Sequence, residues 1–250
     1  MHEFDNNSGQ QSHQGPLASI PSISVFFPCH NEAANIEPLV CKTLHVLGKL
    51  TGDFEIIIVD DGSTDGTGKI IDTLAGEHDT VKAVHHAKNL GYGAALQSGF
   101  RAATKELVFY TDGDGQFDIA EMPRLLPRMK QYDIVTCYRL NRQEGLARKI
   151  NAWAWTKLVC FVFKMNIRDI DCAFKLYKRR IFDDIKIRST GALIDAEILA
   201  RAIRKGYTVT QMGVHHYPRK AGVQSGAKLT VIFRAFQELF KLRKEIMNEP

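Results

Sequence analysis

Residues 54–67 read FEIIIVDDGSTDGT. The first half is a near-continuous apolar run of Phe, Ile and Val, the pattern of a strand covered on both faces. It stops at two adjacent acids. A Gly/Ser/Thr turn follows, and a helical pattern opens at Gly66 and runs to Ala75. A buried strand that ends in carboxylates and feeds a helix is half of a βαβ unit.

The same grammar repeats on both sides. Ser22–Pro28, Thr80–Ala87, Glu106–Thr111 and Asp133–Cys137 read as strands, and Ala34–Leu47, Gly91–Ala103 and Ala120–Lys130 as the helices between them. Strict alternation predicts an α/β fold with a mostly parallel twisted sheet flanked by helices. Ligands of such sheets sit beyond the carboxyl ends of the strands. Polar clusters stand there: Cys29-His30-Asn31-Glu32, Asp60-Asp61-Gly62-Ser63 and Asp112-Gly113-Asp114-Gly115-Gln116.

After residue 140 the alternation stops. Leu146–Met165 and Ile194–Lys205 read as helices, Cys172–Tyr177 and Tyr207–His216 as strands, and Leu229–Ile246 as a final amphipathic helix. The division expected is a flexible tail at 1–20, one domain at 21–228 with halves at 21–140 and 141–228, and a C-terminal helix at 229–250.

Composition bounds the function. The chain has 250 residues, 44 % hydrophobic and 24 % charged, with a net charge of +5. These are globular values, so a disordered, collagen-like or coiled-coil chain is excluded. The basic excess concentrates in residues 139–188, with thirteen Lys and Arg against five acids. Such a sector suits phosphate groups or an anionic surface. The five cysteines form no CxxC pair and read as reduced thiols of a cytosolic protein. No secretory signal is read at the start, and Ala152–Met165 is too short and too charged to span a bilayer, which takes about 20 apolar residues.

In Asp112-Gly-Asp114-Gly-Gln116 an extended chain turns alternate side chains the same way, so two carboxylates and an amide face one point. Hard oxygen ligands suit Mg²⁺ or Mn²⁺ bridging to a substrate diphosphate. The alternative is an acidic turn with positive-φ glycines, but the motif's place directly after a buried strand of an α/β pattern favours the metal. In the Asp60–Thr67 octet, helix capping accounts for Ser63 to Thr67 but does not need two adjacent acids. Gly91 and Gly93 permit either a nucleotide-cradling helix start or close packing. His85-His86 and His215-His216 lie in strands, where neighbours point apart, so they read as structural rather than zinc-binding.

Taken together, Pro28-Cys-His-Asn31-Glu32, Asp60-Asp61-Gly-Ser-Thr-Asp-Gly-Thr67, Asn89-Leu-Gly91-Tyr-Gly93 and Asp112-Gly-Asp114-Gly-Gln116 resemble, in order and spacing, the family 2 glycosyltransferases with the GT-A fold. Asp171-Cys-Ala-Phe-Lys175-Leu-Tyr177 and Tyr217-Pro-Arg219-Lys-Ala-Gly222-Val-Gln-Ser225 resemble its polyprenyl-phosphate sugar transferase branch, which includes dolichol-phosphate mannose synthase. The resemblance implies a nucleotide-sugar-binding half of Rossmann-like build and an acceptor half. It assigns Pro28, Asn31 and Glu32 to the nucleotide pocket and Asp60 or Asp61 to the base. Asp112, Asp114 and Gln116 would meet the metal and diphosphate, and Arg139, Arg148 and Arg219 a phosphate. Lys175 and Ser225, within the branch motifs, are added as substrate-binding positions.

The reaction implied is inverting transfer from a UDP- or GDP-sugar to a polyprenyl phosphate, with Mg²⁺ or Mn²⁺ and arginines stabilising the departing diphosphate. A hydroxyl acceptor, as in cell-surface polysaccharide synthesis, would need a base, for which Asp195 or Glu197 is the candidate. A silent nucleotide-sugar-binding or scaffold module is the alternative of another class. Nucleic acid is not an expected partner. Trp153, Trp155, Phe161 and Phe163 among lysines on one helix suit peripheral contact with anionic lipid on the cytoplasmic face, or else core packing. The last helix suits anchoring or an oligomer face.

Overall fold

The structure, a computed structural model, describes residues 20–141, 145–219 and 229–249, apart from the side chains of 146–148 and 229–237. Its strands are β1 (Ile23–Cys29), β2 (Phe54–Asp60), β3 (Val81–His85), β4 (Leu107–Thr111), β5 (Ile134–Leu140), β6 (Phe174–Lys178) and β7 (Val209–His215). The helices are α1 (Ile36–Leu50), α2 (Thr67–Glu77), α3 (Tyr92–Ala102), α4 (Leu146–Phe163), α5 (Ile181–Asp184), α6 (Ile194–Arg204) and α7 (Leu229–Asn248).

All seven strands form one sheet in the order β3-β2-β1-β4-β6-β5-β7. β1 pairs in parallel with β2 and β4, β2 with β3, and β5 with β7. β6 runs antiparallel between β4 and β5. It therefore begins at the edge where its neighbours end. That reversal brings the 171–173 segment to the same edge as the acidic loops after β1, β2 and β4.

The expected strands are all present. β1 is buried throughout, and β2 at every residue but the first, as continuous apolar strands require. α1 presents Ile36, Leu39, Val40, Thr43 and Leu47 to the core at helical spacing. Behind the sheet centre, Phe26, Phe100, Tyr110, Tyr177 and Phe182 form a cluster of edge and stacked contacts.

Two elements differ from the sequence reading. Ile119–Lys130 is a 3₁₀ helix, not an α-helix. Pro123 and Pro127 lie inside it, and each removes a backbone donor and crowds the preceding turn. Asp118 caps it by accepting from Ala120 N at 2.8 Å. The four-residue α5 was not foreseen, because it is too short to carry a period.

A polar knot ties the opposite edge of the sheet. The buried Glu55 accepts from Ser24 Oγ at 2.6 Å, Lys82 Nζ at 2.6 Å, and Thr104 N and Oγ1 at 2.7 and 2.9 Å. Burial would raise its pKa, but these four donors outweigh it and hold the carboxyl at about 2.

Candidate active site

The loops after β1, β2, β3 and β4, the residues that follow β7, the end of β5 and the segment before β6 enclose a cleft of about 890 Å³. A larger groove of about 1010 Å³ opens at the other ends of the strands. It is walled by Leu107, Pro123, Leu126 and Pro127 and carries no acidic cluster, so the chemistry belongs to the cleft.

The cleft's near wall is knitted by short hydrogen bonds. Asn31 has φ +57° and accepts from Thr64 N through its side chain at 2.8 Å, while its own N–H donates to Ser63 Oγ at 2.9 Å. Asp65 accepts from Thr67 N and Ala33 N, and Glu32 N donates to Thr67 Oγ1 at 2.9 Å. Residues 63–67 therefore serve the turn and clip the β1 and β2 loops together. Pro28, Asn31 and Glu32 line the cleft as expected.

The adjacent acids divide. Asp60 is not among the cleft-lining residues. It accepts from Ser63 N and faces His85 Nδ1 at 3.1 Å, so a role in base contact is not supported for it. Asp61 lines the cleft, with its carboxylate accepting from Leu90 N, Gly91 N and the His86 ring at 2.7–2.9 Å. It fixes the loop ahead of α3. Of the two histidine pairs, His85 and His86 take different carboxylates, and among the described residues no three His, Cys, Asp or Glu converge as a metal cluster.

Asp112, Asp114 and Gln116 line the cleft together. Gly113 is required there: a Cβ would stand 2.4 Å from Cys29 Sγ, and its N–H reaches Pro28 O at 3.3 Å. Asp112 Oδ1 is buried without a hydrogen-bond partner. Burial first, and then the Asp114 charge, push the Asp112 carboxyl up to about 7. Burial also raises Asp114, against a hydrogen bond from Gln116 N and the Arg219 charge. Gln116 Nε2 donates to Tyr217 O at 3.1 Å, so its amide oxygen is the atom that would be left for a cation. An enclosed carboxylate pair with an orphaned oxygen fits a divalent cation, whose remaining ligands would come from substrate or water.

Arg219 reaches across the cleft. It is ion-paired to Glu32 and lies 3.7 Å from Asp114 Oδ2. Arg139 lines the cleft but its guanidinium is held bidentate by Asp169, at 2.7 and 2.8 Å. A phosphate contact from Arg139 would use what that pair leaves over. Arg148 and Ser225 fall outside the described side chains.

Two sequence expectations are corrected. Lys175 is fully buried and donates to Asp195 Oδ1 and Cys172 O at 2.7 Å and to Tyr110 OH at 3.0 Å. It is a member of the core, not a substrate contact. Asp195, 3 % exposed, is held by Lys175 and by the Tyr110 hydroxyl, and it does not line the cleft. Glu197 is fully buried and accepts from Arg188 N, Ser189 N and Arg201. Neither α6 carboxylate is free to take a proton from an acceptor.

Sequence reasoning missed Tyr92, Asp171 and His216, which all line the cleft. Tyr92 stands between Gly91 and Gly93, and its hydroxyl interacts with Asp112 and Tyr110. The signal for Asp171 was its place in a motif just ahead of a strand.

Outside the cleft, α4 packs against α7 and divides its aromatics. Trp155 and Phe163 lean into the core, whereas Trp153 is 61 % and Phe161 83 % exposed. Ile150 and Lys157 share that outer face, and no described helix is long and apolar enough to cross a membrane.

With this geometry in view, the comparisons are specific. The family described as glycosyl transferase family 2 matches residues 24–186. Glycosyltransferase AglD of Haloferax volcanii is 32 % identical over 224 residues, 84 % of this chain and 36 % of that protein. Undecaprenyl-phosphate 4-deoxy-4-formamido-L-arabinose transferase of Aeromonas hydrophila is 34 % identical over 187 residues, 73 % of this chain and 57 % of that protein. The chain thus spans between about a third and three fifths of these curated relatives' lengths. Glucosyl-3-phosphoglycerate synthase from Mycobacterium tuberculosis, solved with Mn²⁺, UDP and phosphoglyceric acid, superposes with a TM-score of 0.64 at 19 % identity, covering 92 % of this chain and 80 % of that one. That likeness shows a shared GT-A fold. From the sequence match and the fold together, the chain belongs to glycosyl transferase family 2.

Proposed function

We propose that the protein transfers a sugar from a nucleotide diphosphate sugar to a polyprenyl phosphate. The observation that favours this acceptor is the engagement of Asp195 and Glu197 inside the core, which removes the two bases that the sequence reading offered for a hydroxyl acceptor. A hydroxyl acceptor needs a base, and α6 supplies none. A phosphate monoester is already an anion near neutral pH and attacks without one. The Aeromonas relative, named for undecaprenyl phosphate and an arabinose derivative, supports the same acceptor class.

The donor reading follows the order of the sheet. The β1, β2 and β3 loops, with Pro28, Asn31, Glu32, Asp61 and Asn89, form the side for the nucleoside. Asp112 and Asp114, with Gln116, would hold Mg²⁺ or Mn²⁺ next to the diphosphate. A bound divalent cation supplies charge stabilisation to the departing diphosphate. Arg219 adds a fixed positive charge on the same side, and it must exchange Glu32 and Asp114 for phosphate oxygens to do so. The acceptor phosphate would enter over β5 and β7, where Arg139 and His216 stand.

Contact with a membrane surface is part of this reading. The outer face of α4, with Ile150, Trp153, Lys157 and Phe161, combines exposed apolar side chains with a cation, which suits the headgroup boundary of anionic lipid.

The acceptor class is tested by offering undecaprenyl phosphate and the corresponding alcohol under identical conditions. The phosphate should be glycosylated and the alcohol left unreacted. Transfer to the alcohol at a comparable rate would replace this reading with a hydroxyl acceptor.

A further inference from the structure

We infer that Asp171 is the residue that recognises the donor sugar, its carboxylate accepting hydrogen bonds from sugar hydroxyl groups. The inference rests on the nucleotide-sugar reading of the cleft and adds to it the residue that distinguishes the sugar from the nucleotide.

Asp171 lines the cleft, and among the described residues no hydrogen bond reaches its carboxylate. The other cleft acids are occupied or committed. Glu32 is paired to Arg219, Asp61 holds the loop before α3, and Asp112 and Asp114 form the cation pair. Asp171 alone is half-buried at the cleft wall, accepts no hydrogen bond from the described protein groups, and is unassigned. Burial, with the charges of Asp195 and Asp169, holds its carboxyl up to about 6. A half-buried carboxylate that no protein donor serves is placed to accept from ligand hydroxyl groups in exchange for water.

Its position selects the ligand group. β6 begins beside the end of β4, with Phe174 opposite Thr111. Asp171 therefore lies on the far side of Asp112 from the β1, β2 and β3 loops. A diphosphate offers no donors and repels a carboxylate. The base and ribose fall on the β1–β3 side. The part of a nucleotide sugar that carries donors and lies past the diphosphate is the sugar. Ala173, two residues on, lines the same cleft with only a methyl group.

The test is calorimetry in Mn²⁺ with UDP, UDP-glucose, GDP and GDP-mannose on wild type, Asp171→Ala and Asp171→Asn, each first checked for an unchanged melting transition. For whichever nucleotide binds, both substitutions should leave nucleoside diphosphate affinity within about twofold. They should lower affinity for the corresponding nucleotide sugar by roughly tenfold or more, the loss of one or two charge-assisted hydrogen bonds. Donor analogues lacking one sugar hydroxyl should bind wild type less well at one or two positions, and that difference should vanish in Asp171→Ala. Equal losses for nucleotide and nucleotide sugar overturn the inference. So does a fall in kcat with donor affinity unchanged, which would make Asp171 a proton acceptor. If wild type binds none of the four nucleotides, the donor reading itself fails, and the inference falls with it.

Discussion

Asp195 Oδ1 stands 2.7 Å from Lys175 Nζ, and both side chains are buried beneath the acidic loop of the cleft. Two charges taken out of water hold each other, with Tyr110 OH bonded to both. Removing one partner strands the other. Lys175→Met and Asp195→Asn should each destabilise the protein by about 3–5 kcal/mol, with the double variant losing less than the sum. Urea denaturation measures this. An additive double variant would show that the pair is not coupled.

Asp112 carries the opposite signature, a carboxylate whose charge is disfavoured where it lies. Asp112→Asn removes both its desolvation cost and its repulsion with Asp114. The ligand-free protein should become more stable by about 1 kcal/mol while Mn²⁺-dependent nucleotide binding is lost. Asp114→Ala should likewise abolish metal-dependent donor binding with the fold intact. Calorimetry with UDP and GDP, each with and without Mn²⁺, together with a melting curve, separates the two effects.

Most of the fold was legible in the sequence because buried parallel strands are continuous apolar runs and need no partner information to be seen. β2 was read at its observed bounds, Phe54–Asp60. The antiparallel insertion of β6 was not legible, since pairing direction leaves no mark in a five-residue strand. In the site, motif spacing located Asp112, Asp114, Gln116 and Arg219 in one cleft. It failed at Lys175 and Asp195, because an ion pair buried across 20 residues looks like two exposed charges on paper. Gly93 was open between cradling and packing. A Cβ there would sit 2.4 Å from the Thr190 backbone carbon, so packing of α3 against the 189–191 segment requires it.

Glu55 sets a pH dependence. Its folded carboxyl lies at about 2 against an ordinary 4.5, so the unfolded chain binds its proton first. The stabilisation is complete above pH 4.5 and is lost as pH falls from there towards 2. Glu55→Gln should cost about 2 kcal/mol at pH 7. The gap to wild type should narrow in acid, as followed by denaturant midpoints at pH 7 and pH 3. A constant gap would contradict the assignment.

The outer face of α4 makes a separate prediction. Trp153→Ser with Phe161→Ser should reduce co-sedimentation with anionic phospholipid vesicles by roughly tenfold or more, given about 1.5–3 kcal/mol for burying each aromatic. Nucleotide binding in solution should not change. Undiminished vesicle binding would move the membrane contact elsewhere on the chain.

The central claim is tested most directly by a transfer reaction. Purified protein is mixed with Mg²⁺ or Mn²⁺, labelled UDP- and GDP-sugars, and undecaprenyl phosphate in detergent, and label is followed into the organic phase. The account predicts a lipid-linked sugar from one nucleotide class, formed only with a divalent cation and lost in Asp114→Ala. Donor binding without lipid product, together with transfer to a hydroxyl acceptor, would contradict it.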